Sequence, residues 1–268
     1  MNKINPGLQL RRVLEELYPY DKDKGGVFVE IDYAIMADGE FSRLLYDSSI
    51  NYLIRRLITT SEYIKRRFDI DDYPSGTYVE KIKEHLKDFT QIPYTHREKV
   101  QGILLECLRL RKGNPSQATK DRLFRQSCSR DLRCYICGGE INYKQRKKYN
   151  SFEVEHIWPK SLGGRNEGEN LTGACCKCNS SKRDYLDASD FHYEEISLVS
   201  TEGESSFSTE FTWDYRVAVL AQHEYKCVLC KKDAQTVGDL HFARRETSDS
   251  WHYLNIDVYC SKHLPKEK

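Results

Sequence analysis

The sequence of 268 residues contains no long apolar segment. Its longest uninterrupted apolar runs, at residues 33–37 and 217–221, are five residues each. A membrane helix needs roughly 20 such residues. The first residues, MNKINPGLQLRRV, also lack the apolar core of a signal peptide. We therefore expect a cytoplasmic protein without a membrane partner, long enough for one or two domains.

A strong net charge is missing as well. The 42 Lys and Arg residues nearly balance the 41 Asp and Glu residues, which leaves +1, and such a balance does not by itself indicate a nucleic-acid partner. The charges are unevenly distributed, however. Residues 128–189 contain 11 basic and 8 acidic residues, whereas residues 190–268 contain 9 and 14. The small total therefore conceals a basic middle and an acidic tail, and it does not exclude nucleic acid.

Cysteine, in contrast, is abundant, with ten residues. In a chain expected in the cytoplasm, closely spaced cysteines indicate metal binding rather than disulfides. Two sets of four ligands predict one or two structural Zn²⁺ ions, since a closed set of four leaves no open coordination position. The alternative for both sets is unbound buried thiols. The first set is Cys134, Cys137, Cys175 and Cys178, and the second is Cys227, Cys230, Cys260 and His263.

The N-terminal part has apolar residues at helical spacing, for example Leu10, Val13 and Leu14. Alternating apolar residues at 27–33 predict one strand within it. The run KGNPS at 112–116 predicts a domain boundary, and the Ser-, Thr-, Glu- and Gly-rich residues 197–212 predict a linker.

We expect an α+β protein. Its predicted parts are a mainly helical N-terminal domain at 1–115, a zinc-bound ββα domain at 116–189, a linker at 190–212 and a second zinc module at 213–268.

We call each Cys-x-x-Cys pair a knuckle. The segment between the two knuckles of the first set carries reactive side chains. Residues 152–157 alternate as in a strand, and the residues after the second knuckle predict a helix to about residue 186. In such a ββα unit, the Glu155 carboxylate and the Asn179 amide oxygen are suitable ligands for Mg²⁺. His156 is a suitable base near neutral pH.

At these residues the chain resembles the HNH endonuclease family, in the form whose ββα-metal core is held by a four-cysteine zinc site. The resemblance spans about residues 121–187. It includes Glu155-His156-Ile157, Pro159, Gly163-Gly164, Asn170-Leu171 and Cys175-x-x-Cys178-Asn179-x-x-Lys182. Glu155 departs from the family pattern, in which aspartate is more frequent.

The resemblance implies an enzyme that hydrolyses phosphodiester bonds by a one-metal mechanism, with DNA favoured as substrate. His156 would be the general base, and Asn170 would brace the loop. Glu155 and Asn179 would hold one catalytic Mg²⁺ or Mn²⁺. A nuclease also needs control, so we expect a regulatory protein partner, and by analogy a restriction or anti-phage defence setting.

Basic residues around this unit predict phosphate contacts, which position nucleic acid but carry little sequence information. Those singled out are Lys182, Lys160, Arg165 and Arg183.

The C-terminal segment repeats the spacing of the first unit. His156 is followed by Asn170 after 14 residues and by Cys175 after 19, and His241 is followed by Asn255 and Cys260 at the same distances. This predicts a second copy of the unit.

In that alignment Leu240 stands in place of Glu155, and Leu264 in place of Asn179. The copy would therefore lack catalytic metal ligands, and we expect it to brace the first unit or to dock a protein.

Three alternatives to a DNA nuclease stay open at this point. They are a non-catalytic zinc-dependent module that binds nucleic acid, a protein-interaction module, and a nuclease directed at RNA.

Overall fold

The computed structural model describes residues 4–21, 26–111, 113–145, 148–191, 199–200 and 211–265. It is an α+β structure with long helices in the first half and three pairs of short antiparallel strands in the second. Within these ranges no helix is both long and apolar enough to cross a membrane. The linker expected at 190–212 falls mostly outside the described residues.

The N-terminal part consists of helices packed around an apolar core. Leu10 and Leu14 of the first helix are fully buried there with Ile54 and Ile58 of the longest one, as their helical spacing predicts. The helices are α1 (Pro6–Leu17), α2 (Val27–Ala34), α3 (Glu40–Phe68), α4 (Thr77–Asp88) and α5 (Tyr94–Arg111).

Helix α2 shows that the strand predicted at residues 27–33 is wrong. An isolated strand would leave its backbone groups unpaired, whereas a helix satisfies them within the segment. The buried Asp32 accepts hydrogen bonds from the backbone N–H groups of Phe41 (2.9 Å) and Ser42 (3.0 Å). This side chain fixes α2 to the first turn of α3.

The middle of the chain contains the predicted ββα unit. Its elements are α6 (Gln117–Ser129), β1 (Phe152–His156), β2 (Leu171–Cys175) and α7 (Cys176–Lys182). Strands β1 and β2 are antiparallel, with Phe152 opposite Cys175 and His156 opposite Leu171. His156 therefore ends β1 at the start of the loop that leads to Asn170.

The C-terminal part repeats this hairpin. Strand β4 pairs with β6, with Leu240 opposite Cys260 and Arg244 opposite Ile256, and β3 pairs with β5. The elements are β3 (Val199–Ser200), α8 (Trp213–Gln222), α9 (Ala234–Val237), β4 (Leu240–Arg244), β5 (Trp251–His252) and β6 (Ile256–Cys260).

The described residues form two apolar cores. We refer to the ββα unit as the first zinc unit and to the C-terminal part as the second. Ile136 and Ala174 of the first zinc unit share one core with Tyr215 and Val258 of the second. Leu162, in the loop after β1, belongs instead to the core of the N-terminal helices. The loop that follows His156 is therefore packed against the helical part, and the two zinc units support each other.

The loop and the helices approach each other closely at Gly163, whose φ is +84°. A Cβ there would lie 2.5 Å from Sγ of Cys107 and 2.8 Å from the backbone nitrogen of Gly7. We predict that Gly163→Ala lowers the free energy of unfolding by about 1–3 kcal/mol through overpacking, in addition to backbone strain.

Gly168→Ala is the matched control, because Gly168 has φ +65° but no atom within 4 Å of a Cβ. It should cost only the strain of about 1–2 kcal/mol. Denaturant titrations compare the two variants, and equal losses would show that the loop does not press on the helices.

Candidate active site and metal centres

The first cysteine cluster joins the two knuckles of the middle unit. Its four sulfur atoms, from Cys134, Cys137, Cys175 and Cys178, lie within 4.8 Å of one another. A tetrahedral zinc ion with Zn–S bonds of about 2.3 Å needs sulfurs about 3.8 Å apart. The cluster therefore fits a closed, structural zinc site.

The second cluster, Cys227, Cys230, Cys260 and His263, is equally tight, with its ligand atoms within 4.8 Å of one another. Nδ1 of His263 lies 3.2 Å from Sγ of Cys260. Three sulfurs and one imidazole nitrogen are also a common structural zinc set.

Backbone hydrogen bonds show that the two units repeat one fold. Cys134 N–H donates to the Gly139 carbonyl at 3.0 Å, and Cys227 N–H donates to the Lys232 carbonyl at 3.1 Å. Both bonds span five residues. Asn170 and Asn255 form the next matching pair. Their carbonyls accept from Ile157 N–H (2.9 Å) and Arg245 N–H (2.8 Å), respectively.

This match moves the alignment of the two units by three residues. Because Ile157 corresponds to Arg245, the counterpart of His156 is Arg244, and His241 corresponds to Glu153. The predicted pairing of His156 with His241, and with it that of Glu155 with Leu240, is therefore wrong. The loop before the asparagine is three residues shorter in the second unit. The spacing from histidine to asparagine was counted across this loop, so it does not reveal the difference in loop length. Arginine does not act as a base at neutral pH, so the second unit lacks the base. It also lacks the carboxylate ligand, because Ala243 corresponds to Glu155.

His156 is half-buried at the end of β1, and a neighbouring asparagine orients its ring. Its Nε2 lies 2.8 Å from Oδ1 of Asn166. The Asn166 amide donates to the Gly113 carbonyl at 2.9 Å, which turns its oxygen towards the imidazole. Nε2 therefore carries the hydrogen, and Nδ1 is the basic nitrogen.

Burial lowers the pKa of His156 below its ordinary value, although the hydrogen bond with Asn166 opposes this shift. The ring is therefore neutral near neutral pH and able to accept a proton. Asn166 was missed by the sequence analysis, since no motif marks it.

The side chain of Asn170 makes four hydrogen bonds that hold the loop after His156. Its Oδ1 accepts from Trp158 N–H (2.8 Å) and from Asn5 Nδ2 (2.9 Å). Its Nδ2 donates to the carbonyls of Trp158 (3.0 Å) and Arg165 (2.9 Å). With its side chain buried, this residue ties both ends of the loop together.

Lys182 forms a buried ion pair instead of facing solvent. It is only 2% exposed, and its Nζ donates to Oε1 of Glu155 (2.8 Å) and to the His156 carbonyl (3.1 Å). Burial raises the pKa of Glu155, and Lys182 offsets this only in part. The expectation that Lys182 contacts nucleic acid is corrected, because its ammonium neutralises a buried carboxylate.

Arg165 is also used inside the protein, where it is 6% exposed. Its guanidinium pairs with Glu106 of α5 and donates to the Ile4 carbonyl. The expected role in nucleic-acid contact does not fit this burial. Lys160, bonded to the Asn114 side chain, and Arg183, paired with Asp214 at an exposed position, remain candidates.

The two expected ligands of the catalytic metal have other partners. Glu155 pairs with Lys182, and Nδ2 of Asn179 donates to Oε2 of Glu153 at 2.5 Å. Among the described residues, groups of three or more His, Cys, Asp and Glu ligands occur only at the two zinc clusters. The roles of Glu155 and Asn179 as metal ligands, and the requirement for Mg²⁺ or Mn²⁺, stay predictions.

The role found for Lys182 can be tested by stability. We predict that Lys182→Ala lowers the free energy of unfolding by about 3–5 kcal/mol, because it leaves a buried carboxylate unpaired. Lys160→Ala removes an amine that bonds only a neutral amide and should cost less than about 1 kcal/mol. Urea titrations of the zinc-loaded chain measure both. Equal midpoints for Lys182→Ala and the wild type would contradict the buried pair.

Comparison with known proteins agrees with this site. A family model described as HNH endonuclease matches residues 134–190. Neither the curated proteins nor the solved structures gave a match. The matched segment begins at the first zinc ligand and ends after α7. The resemblance to the HNH endonuclease family is therefore confirmed for residues 134–190, which contain the first zinc cluster, His156 and Asn170.

Proposed function

We propose that this protein is a metal-dependent endonuclease that hydrolyses phosphodiester bonds in DNA, with His156 as the general base. The observation that carries the proposal is the neutral, oriented imidazole of His156 within the segment that matches HNH endonucleases. A neutral, oriented imidazole is what proton abstraction from water requires.

The proton route follows from the ring geometry. Nδ1 of His156 takes a proton from water, and the resulting hydroxide attacks the phosphorus. The bond to the 3′ oxygen then breaks, and the departing alkoxide takes a proton from solvent. The products are a 3′-hydroxyl and a 5′-phosphate. Oδ1 of Asn166 accepts from Nε2–H before and after this step, so it also stabilises the imidazolium that forms.

Exposed cations lie near the loop and support a polyanionic substrate. Residues just before α6 contact the loop, since Gly113 bonds Asn166 and Asn114 bonds Lys160. The residues that precede α6 therefore lie against the loop after His156, and α6 carries the exposed Lys120, Arg122 and Arg125 along its length. With Lys160 and Arg183, these side chains are our proposed phosphate contacts.

HNH nucleases use a divalent metal ion, and we propose that cleavage here needs Mg²⁺ or Mn²⁺. Glu155, whose Oε1 accepts from Lys182, and Asn179 would hold this ion. Control by a protein partner, a role in restriction or anti-phage defence, and a cytoplasmic location also stay proposals.

Cleavage of supercoiled plasmid, with RNA in parallel, tests the proposed reaction. We expect wild-type protein to cut DNA with Mg²⁺ or Mn²⁺ and EDTA to stop the reaction. His156→Ala should lower the rate by about 10²–10⁴-fold through loss of the base, with zinc content and folding unchanged. Wild-type rates in the folded alanine variant would refute the base. DNA binding without cleavage would favour the non-catalytic alternative.

Asn166 offers a second test. Asn166→Ala should lower kcat by about a hundredfold, because a ring that is no longer oriented loses the near-attack geometry. Asn166→Asp keeps an oxygen acceptor for Nε2–H and should retain more activity than the alanine variant. Steady-state kinetics with a DNA duplex as substrate measure kcat for both variants. An alanine variant with the wild-type kcat would show that Asn166 does not orient the base.

A further inference from the structure

Asn5, just before α1, binds the loop of the HNH unit with both atoms of its amide. Nδ2 donates to Oδ1 of Asn170 at 2.9 Å, and Oδ1 accepts from Arg165 N–H at 3.0 Å. Asn5 and Asn170 are 165 residues apart in sequence. One side chain of the N-terminal part therefore contacts the residue that braces the loop after His156.

The position of Asn5 makes this contact unusual. It is the N-cap residue of α1, yet its side chain makes no capping hydrogen bond. Asparagine at an N-cap normally accepts from an N–H group in the first turn of its own helix. Here both amide atoms bind the loop instead, so capping α1 does not explain this residue.

The second zinc unit provides an internal comparison. Oδ1 of Asn255 accepts from Glu246 N–H at 2.9 Å, and its Nδ2 donates to the carbonyls of Glu246 (3.0 Å) and Ser250 (2.8 Å). These bonds match the three that Asn170 makes within its own unit. Within the described ranges, Asn255 has no fourth partner equivalent to Asn5. The loop therefore forms without such a residue, and the fourth bond is an addition in the unit that carries His156.

The surroundings of Asn5 hold the same loop at further points. The Arg165 side chain pairs with Glu106 of α5 and bonds the Ile4 carbonyl. Gly163 packs against Cys107 and Gly7. The N-terminal helices thus fix the loop by charge, by hydrogen bonds and by close packing, and Asn5 is the member that reaches Asn170 itself.

We infer that Asn5 is a positioning residue for the reaction, through which the N-terminal helical part holds Asn170 and the loop in the geometry that His156 needs. This inference rests on the proposed nuclease function. It gives the helical part a role in catalysis without contact with the substrate. The chemical requirement is one donor aimed at Oδ1 of Asn170 and one acceptor for Arg165 N–H.

Two substitutions at Asn5 in the full chain separate these two bonds. Asn5→Ala removes both. Asn5→Asp keeps an acceptor for Arg165 N–H but loses the donor to Asn170. We expect kcat to fall about 10- to 100-fold in both variants, with KM within about twofold of the wild type because the residue does not bind substrate. Amide hydrogen exchange at Arg165 should be faster in Asn5→Ala and nearly unchanged in Asn5→Asp.

Arg12→Ala is the control, since Arg12 is an exposed residue of the same helix, and it should leave kcat and exchange unchanged. Zinc content and circular dichroism confirm that each variant is folded. Wild-type kcat in folded Asn5→Ala or Asn5→Asp, while His156→Ala is inactive, would overturn the inference and leave the nuclease function intact. If the wild type cuts nothing, the proposed function fails. Hydrogen exchange then tests only the contact between Asn5 and the loop. Loss of Arg165 protection in Asn5→Ala supports this contact, and protection equal to the wild type overturns it.

Discussion

Four sulfur atoms hold together the two ends of the segment that carries His156. Cys134 and Cys137 precede β1, whereas Cys175 ends β2 and Cys178 lies in the first turn of α7. A hairpin of two five-residue strands is marginal on its own in water. Zinc binding contributes about 10–16 kcal/mol to folding in small zinc units, which is enough to hold such a hairpin. Every other feature of the site depends on this closure.

Two further sets of contacts hold the site in place, in addition to the zinc cluster. Asn170 closes the loop between the strands, and the N-terminal helices hold that loop through Asn5, Arg165 and Gly163. The second zinc unit also shares a core with the first. Having Arg244 where the first unit has His156, it contributes packing rather than a base. The arrangement explains why a chain with two similar zinc units has one candidate site of reaction.

The sequence predicted what depends on short-range spacing. Two cysteines three positions apart reach one metal ion regardless of the surroundings, so both clusters and the ββα order could be predicted. The exposure of a side chain could not be predicted in this way. A lysine in a motif looks the same whether it faces solvent or, like Lys182, neutralises a buried glutamate. Asn166 lies in a loop without periodicity. The alternating residues 27–33 gave no sign that a partner strand is missing, and the alignment of His241 failed because loop lengths differ between the units.

Zinc content is the most direct test of this account. We predict about two tightly bound zinc ions per folded chain, one for each cluster. Mass spectrometry of the metal in the purified protein measures this number. Removal of the ions with a strong chelator should unfold the segment that contains His156 and abolish cleavage. A folded preparation that cuts DNA while containing no zinc would contradict the account.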